Sequence, residues 1–138
     1  MKTLLTATAT ILALAAPAMA EGDAEKGKKV FNKCKACHMV KSDDGEAIVK
    51  GGKTGPNLYG VIGRVAGSVE DFKYGAGLVD ANEDGFVWSE DELVAYAEDP
   101  KGWLEAKGYT AKSKMTFKLK KDGADVAAFL AAAAAEGS

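Results

Sequence analysis

The stretch "NKCKACHMVK", residues 32 to 41, contains both cysteines and the only histidine of a chain of 138 residues. Any fold for this chain must give Cys34, Cys37 and His38 a shared task. A disulfide between cysteines three apart, in a stretch that reads as helix, would close a very short loop and constrain the unfolded chain little. Structural zinc takes four protein ligands, and two sulfurs with one imidazole do not supply them. A thioredoxin-like pair needs a strand feeding a helix, which the polar, Lys-rich "EGDAEKGKKVFNK" does not provide. One reading uses all three side chains: thioether attachment of haem through Cys34 and Cys37, with His38 as the proximal iron ligand. On these residues alone a disulfide or a bystander pair stays open.

With no second histidine, a six-coordinate iron needs another donor, and a soft thioether suits it. Of the four methionines, Met1 and Met19 fall in the leader described below, and Met39 follows His38 too closely to reach the other haem face. Met115 remains. It sits in the polar, Lys-rich "AKSKMTFKL" between expected helices, where a gap-filling core methionine, the bland alternative, is out of place.

Residues 1 to 20 read as a secretory signal peptide, with Lys2 as the positive start, "LLTATATILALAAPAMA" as the apolar stretch and Ala18-Met19-Ala20 as the cleavage site. The apolar stretch is shorter than the ~20 residues a bilayer span requires. Cleavage after Ala20 would leave residues 21 to 138 as a single domain in the periplasm, with no later apolar run to span a membrane. At 47% apolar and 28% charged residues, the composition is that of an ordinary soluble globular protein.

Several segments together resemble the class I cytochromes c, in particular the longer bacterial kind that includes soluble carriers of photosynthetic and denitrifying bacteria. They are "GDAEKGKKVFNKCKACH", "KTGPNLYGVIGR", "FKYGAGLVDAN", "VWSEDELVAYAEDP", "SKMTFKL" and "DVAAFLAAA", spread over residues 22 to 136. The resemblance implies an all-α cytochrome c fold, with the haem wrapped by about four to five helices and the N- and C-terminal helices crossing. It implies that the Pro56 carbonyl accepts a hydrogen bond from the His38 nitrogen remote from iron, orienting the ring and raising its basicity. It also implies that Arg64, Tyr74 and Trp88 hold the haem propionates, with Ser113 as a further donor, since buried carboxylates need such partners. Tyr96 matches a residue near the methionine sulfur.

Local signals agree with helices. Residues 23 to 35 read as one, with Asp23 and Glu25 suiting its N-terminal dipole and Val30 and Phe31 on its apolar side. Gly27 costs this helix about 1 kcal/mol against Ala, which suggests close approach of another backbone. In the closing helix Val126, Phe129 and Leu130 recur at helical spacing, and Asp122 is a candidate cap. The resemblance sets Gly27 against Val126 and Phe129. "WSEDEL" reads as a helix start, with Ser89 as N-cap, Glu92 completing a capping box and Trp88 with Leu93 as a hydrophobic staple. Pro100 stops that helix. "KTGPNLYGVIGR" is a loop for tight backbone approach. "MVKSDDGEAIVKGG" and "KGWLEAKGYTAKS" are longer than in the short members of the family and are expected as loops.

Loss of Lys2 with the leader leaves 17 basic against 20 acidic side chains, net −3 before haem charges. That sum hides segregation. Residues 26 to 41 hold Lys26, Lys28, Lys29, Lys33, Lys35 and Lys41 without an acid, and residues 106 to 121 hold Lys107, Lys112, Lys114, Lys118, Lys120 and Lys121 without one. Residues 70 to 105 hold eleven acids against Lys73 and Lys101. Two positive segments meeting at one cofactor would steer an acidic partner toward the haem edge. Nucleic acid is excluded for an exported, acidic chain without a binding motif.

A closed His/Met pair leaves no coordination position for substrate, so the expected function is one-electron transfer by a soluble monomer and not catalysis. The expected partners are membrane redox complexes, with a quinol-cytochrome c oxidoreductase type donor and an oxidase, reductase or photosynthetic reaction centre as acceptor. Docking is expected through Lys33, Lys35, Lys112, Lys114 and Lys118. The alternative is a haem peroxidase or gas sensor in which the Met115 bond is labile.

Overall fold

The chain's two ends are tied together by a helix crossing that depends on a missing side chain. In the computed structural model, which describes residues 22–136, α1 (Ala24–Val30) crosses α5 (Gly123–Glu136) at Gly27. A Cβ built there would stand 1.8 Å from the Asp125 carbonyl oxygen and 2.9 Å from Cβ of Phe129. Phe129 is thus the expected partner, while the backbone it meets is that of Asp125, one residue before Val126. Phe31 and Phe129 seal the crossing with ring centroids 5.6 Å apart. Each helix start also binds the other: Asp125 accepts from the Asp23 N–H at 2.8 Å, and Lys26 reaches Asp122 and Asp125, each at 3.2 Å. The expected leader and its cleavage site lie outside the described residues.

Asp23 caps α1 as expected, accepting from the N–H groups of Glu25 and Lys26. The α-helix ends at Val30 and not at residue 35. Phe31–Lys33 tighten into a 3-10 turn, and the Phe31 carbonyl accepts from both Cys34 and Lys35. The Cys34 carbonyl in turn accepts from Cys37 and His38, at 3.1 and 2.9 Å. The motif is therefore wound as successive turns, which narrows the span between its three functional side chains.

Both extra stretches have structure of their own. The first carries an antiparallel hairpin, β1 (Val40–Lys41) with β2 (Ala47–Val49), closed by a turn in which the Glu46 N–H donates to the Ser42 hydroxyl. Val40 is fully buried and anchors it. The second is largely helix. α3 (Glu90–Glu98) does stop before Pro100, yet Pro100 opens α4 (Pro100–Lys107), its preset φ and missing N–H suiting a first helical position. Asp99 caps it through the Gly102 N–H, and Trp103 and Leu104 bury its inner face. α2 (Ala76–Glu83) precedes α3.

Ser89 caps α3 through the Glu92 N–H, but Glu92 does not close the expected capping box. Its carboxylate turns to α4 instead, accepting from Trp103 Nε1 at 2.7 Å and Lys107 Nζ at 2.6 Å. A charged partner and an indole donor together outweigh one backbone N–H. Asp122 precedes α5 with φ of 64°, and its carboxylate takes the Lys26 ammonium.

Candidate functional site

Residues 51 to 58 are laid across the Cys-x-x-Cys-His turns by backbone bonds: Gly52 N–H to the Lys35 carbonyl, Gly55 N–H to that of Cys37 and Leu58 N–H to that of Met39. Gly55 lies against the His38 ring, where a Cβ would be 2.4 Å from Cε1. The next residue supplies the expected second contact. Nδ1 of His38 donates to the Pro56 carbonyl at 2.8 Å. A carbonyl oxygen can only accept, so the proton sits on Nδ1 and Nε2 keeps its lone pair. Burial holds the His38 pKa below the usual imidazole value despite the Pro56 carbonyl, which raises it. The ring is thus neutral, as a metal ligand must be.

Cys34 and Cys37 are separate thiols, half-buried and exposed respectively. Burial pushes the Cys34 thiol up to about 11. Both open onto a cavity of about 270 Å³ with largely apolar walls, including Phe31, Leu58, Val61, Leu78 and Leu130. These walls suit a large, flat, apolar occupant.

Every site residue expected from the sequence lines this one cavity: Cys34, Cys37, His38, Pro56, Arg64, Tyr74, Trp88, Tyr96, Ser113 and Met115. Its polar atoms fit a group carrying carboxylates. Arg64 spends one terminal nitrogen on the Asn57 and Tyr59 carbonyls, and its Nε is a buried donor without a partner among the described residues. The Tyr74 oxygen accepts from the Val69 N–H, which leaves its O–H to donate into the cavity. Burial raises the Tyr74 and Tyr96 pKa values, so both phenols stay protonated. Ser113 bonds the Tyr96 hydroxyl at 2.6 Å and accepts from the Met115 N–H at 3.1 Å, fixing the backbone from which the thioether projects.

Sequence reasoning missed Gly55 as a wall of the imidazole, and Phe72 and Phe117 as cavity residues. Phe72 stacks edge-on to Tyr74 with centroids 4.8 Å apart, and their alternation in "FKY" was the available signal. The two acid-free segments do converge, since Lys33 and Lys114 both line the cavity. Lys33, Lys35, Lys112, Lys114 and Lys118 are all exposed. Lys118 pairs with Asp99 at 3.4 Å, and Lys114 donates to the Lys73 carbonyl at 2.7 Å.

The family model Cytochrome c matches residues 24–134. Among curated relatives, cytochrome c-550 of Paracoccus versutus is 60% identical over 136 residues, covering 95% of this chain and 88% of that protein. Cytochrome c2 of Rhodobacter capsulatus is 53% identical over 130 residues, covering 93% and 94% respectively. The X-ray structure of ferric cytochrome c-550 from Paracoccus versutus superposes with a TM-score of 0.78 at 62% identity, covering 82% of this chain and 98% of that one.

Proposed function

This chain belongs to the cytochrome c family and is an electron carrier, not an enzyme, with one haem c held through Cys34 and Cys37, and on that premise we propose that His38 Nε2 and the Met115 sulfur would hold its iron. The observation that carries this is the His38–Pro56 hydrogen bond, which frees Nε2 for a metal inside a cavity that Met115 also lines. Bound haem supplies a one-electron couple, and thioether ligation shifts it toward the ferrous form. Pro56 holds the imidazole in its ligating tautomer and strengthens it as a donor. Arg64 Nε, Tyr74 and Trp88, with Ser113, hold the propionates. Tyr96 steadies Met115 through Ser113.

The same reading extends to the chain's surroundings. The signal peptide is removed after Ala20, and residues 21 to 138 act as a soluble monomer in the periplasm. No helix among the described residues is long and apolar enough to cross a membrane. Lys33, Lys35, Lys112, Lys114 and Lys118 dock on acidic surfaces of membrane redox complexes, the donor being of the quinol-cytochrome c oxidoreductase type and the acceptor an oxidase, reductase or photosynthetic reaction centre. Support comes from the convergence of both lysine segments at the cavity.

Substitution Met115→Ala tests the ligand assignment. The oxidised variant should lose the weak red-edge band that sulfur-to-iron charge transfer produces, and its reduction potential should fall. A band and potential identical to wild type would reject Met115 as ligand.

A further inference from the structure

We propose that Asp80 is a positioning residue for Met115: one face of α2 grips the segment that carries the thioether, and so sets how firmly the sulfur stays in place. The inference rests on Met115 being an iron ligand. Residues 109 to 122 contain no helix or strand. With no ladder of its own, that segment is placed by what it bonds to outside itself.

Before Met115 the grip is regular. Gly77 and Asp80, with Asp84 as C-cap, stand at i, i+3 and i+7 on α2, which is one face of a helix. They meet Lys112, Thr110 and Tyr109 in that order, so helix and segment run antiparallel. The Gly77 N–H donates to the Lys112 carbonyl at 3.0 Å, the Thr110 N–H to the Asp80 carboxylate at 2.8 Å, and the Tyr109 hydroxyl to the Asp84 carboxylate. Gly75, the N-cap of α2, gives its first turn no side-chain acceptor, and the Lys112 carbonyl takes that role. Gly77 permits the approach, since a Cβ there would stand 2.4 Å from the Thr110 carbonyl oxygen.

An exposed aspartate on a helix is ordinarily a solvated charge. That does not account for three contacts in matched register. Of the three, only the Asp80 bond ties the segment's backbone to a charged acceptor, the stronger kind of hydrogen bond. The Thr110 hydroxyl and N–H together hold the Asp80 carboxyl below the usual carboxylate range. Beyond Met115, the Leu119 N–H donates to the Ala97 carbonyl at 2.8 Å, and Lys118 pairs with Asp99 at 3.4 Å. Met115 is thus slung between α2 and the end of α3. Releasing the α2 end lets the segment open locally, and a competing ligand then captures the position the sulfur leaves.

The test titrates ferric holoprotein with imidazole, follows the loss of the red-edge band, and measures the urea midpoint of the same samples. Asp80→Ala should bind imidazole about three- to tenfold more tightly than wild type. Asp80→Asn, which keeps an acceptor oxygen, should recover much of the difference, and Tyr109→Phe should shift affinity the same way by less. Gly27→Ala, which weakens the fold at the α1 and α5 crossing, is the control: its urea midpoint should fall while its imidazole affinity stays at the wild-type value. Unchanged affinity in Asp80→Ala, or an equal rise in Gly27→Ala, would overturn the proposal, the first whatever happens to the urea midpoint. Wild type binding imidazole as tightly as Met115→Ala would remove the ligand assignment itself, and the proposal with it.

Discussion

The His38 ring is pinned from two neighbouring residues, by the Pro56 carbonyl at one nitrogen and by the absent side chain of Gly55 at its edge. Gly55→Ala would set a methyl 2.4 Å from Cε1, so the ring must leave its hydrogen bond or the loop must lift. Overpacking of this kind costs typically 1–3 kcal/mol. The holoprotein's urea midpoint should fall accordingly; an unchanged midpoint would mean that the ring has room to spare. That the two cysteines, His38 and Met115 share one cavity was legible in the sequence, because the haem reading asks for those atoms and the chain offers almost no others. Gly55 was not, since its neighbour lies seventeen positions back in the chain and a glycine says only that something is close. Arg64 was legible through resemblance alone: nothing local marks an arginine whose Nε is buried without a partner among the described residues.

Helix packing turns on the same logic at the crossing of α1 and α5. Gly27→Ala gains about 1 kcal/mol of helix propensity, but its methyl would lie 1.8 Å from the Asp125 carbonyl oxygen. A backbone atom cannot swing aside, so the steric cost wins and net destabilisation of about 1–2 kcal/mol is expected in chemical denaturation. A more stable variant would contradict the crossing. The sequence announced this contact through one glycine in an otherwise regular helix start, and announced α3 through Ser89. It misled at Glu92, because a capping box and a tertiary clamp ask for the same residue, and only the approach of Trp103 and Lys107 decides between them. At Pro100 the reading held, since α3 stops at Glu98, but the helix that Pro100 opens, within a stretch expected as a loop, was not foreseen. The hairpin at Val40 and Val49 is short enough that its pattern cannot be told from a loop.

For the molecule as a whole, the cavity is the organising fact. Without haem the apolar walls of a space of about 270 Å³ lose their covering, and burial of apolar surface is the main favourable term in a domain that is only marginally stable. Protein produced without haem should therefore be largely unfolded, with weak far-ultraviolet helix signal and no cooperative thermal transition. A sharp transition in haem-free material would show that the polypeptide closes on its own. Charge placement belongs to the same scale: the lysine segments and the acid-rich residues 70 to 105 were visible as runs, whereas the pairing of Lys118 with Asp99 and of Lys107 with Glu92 needed the fold. The central claim is that the iron sits between His38 and Met115. The most direct measurement is the proton NMR spectrum of the reduced holoprotein, where porphyrin ring current acts on any methyl held over the iron. The account predicts a single S-methyl resonance, assigned to Met115, shifted far upfield of every other methyl; a Met115 methyl at its ordinary position would contradict it.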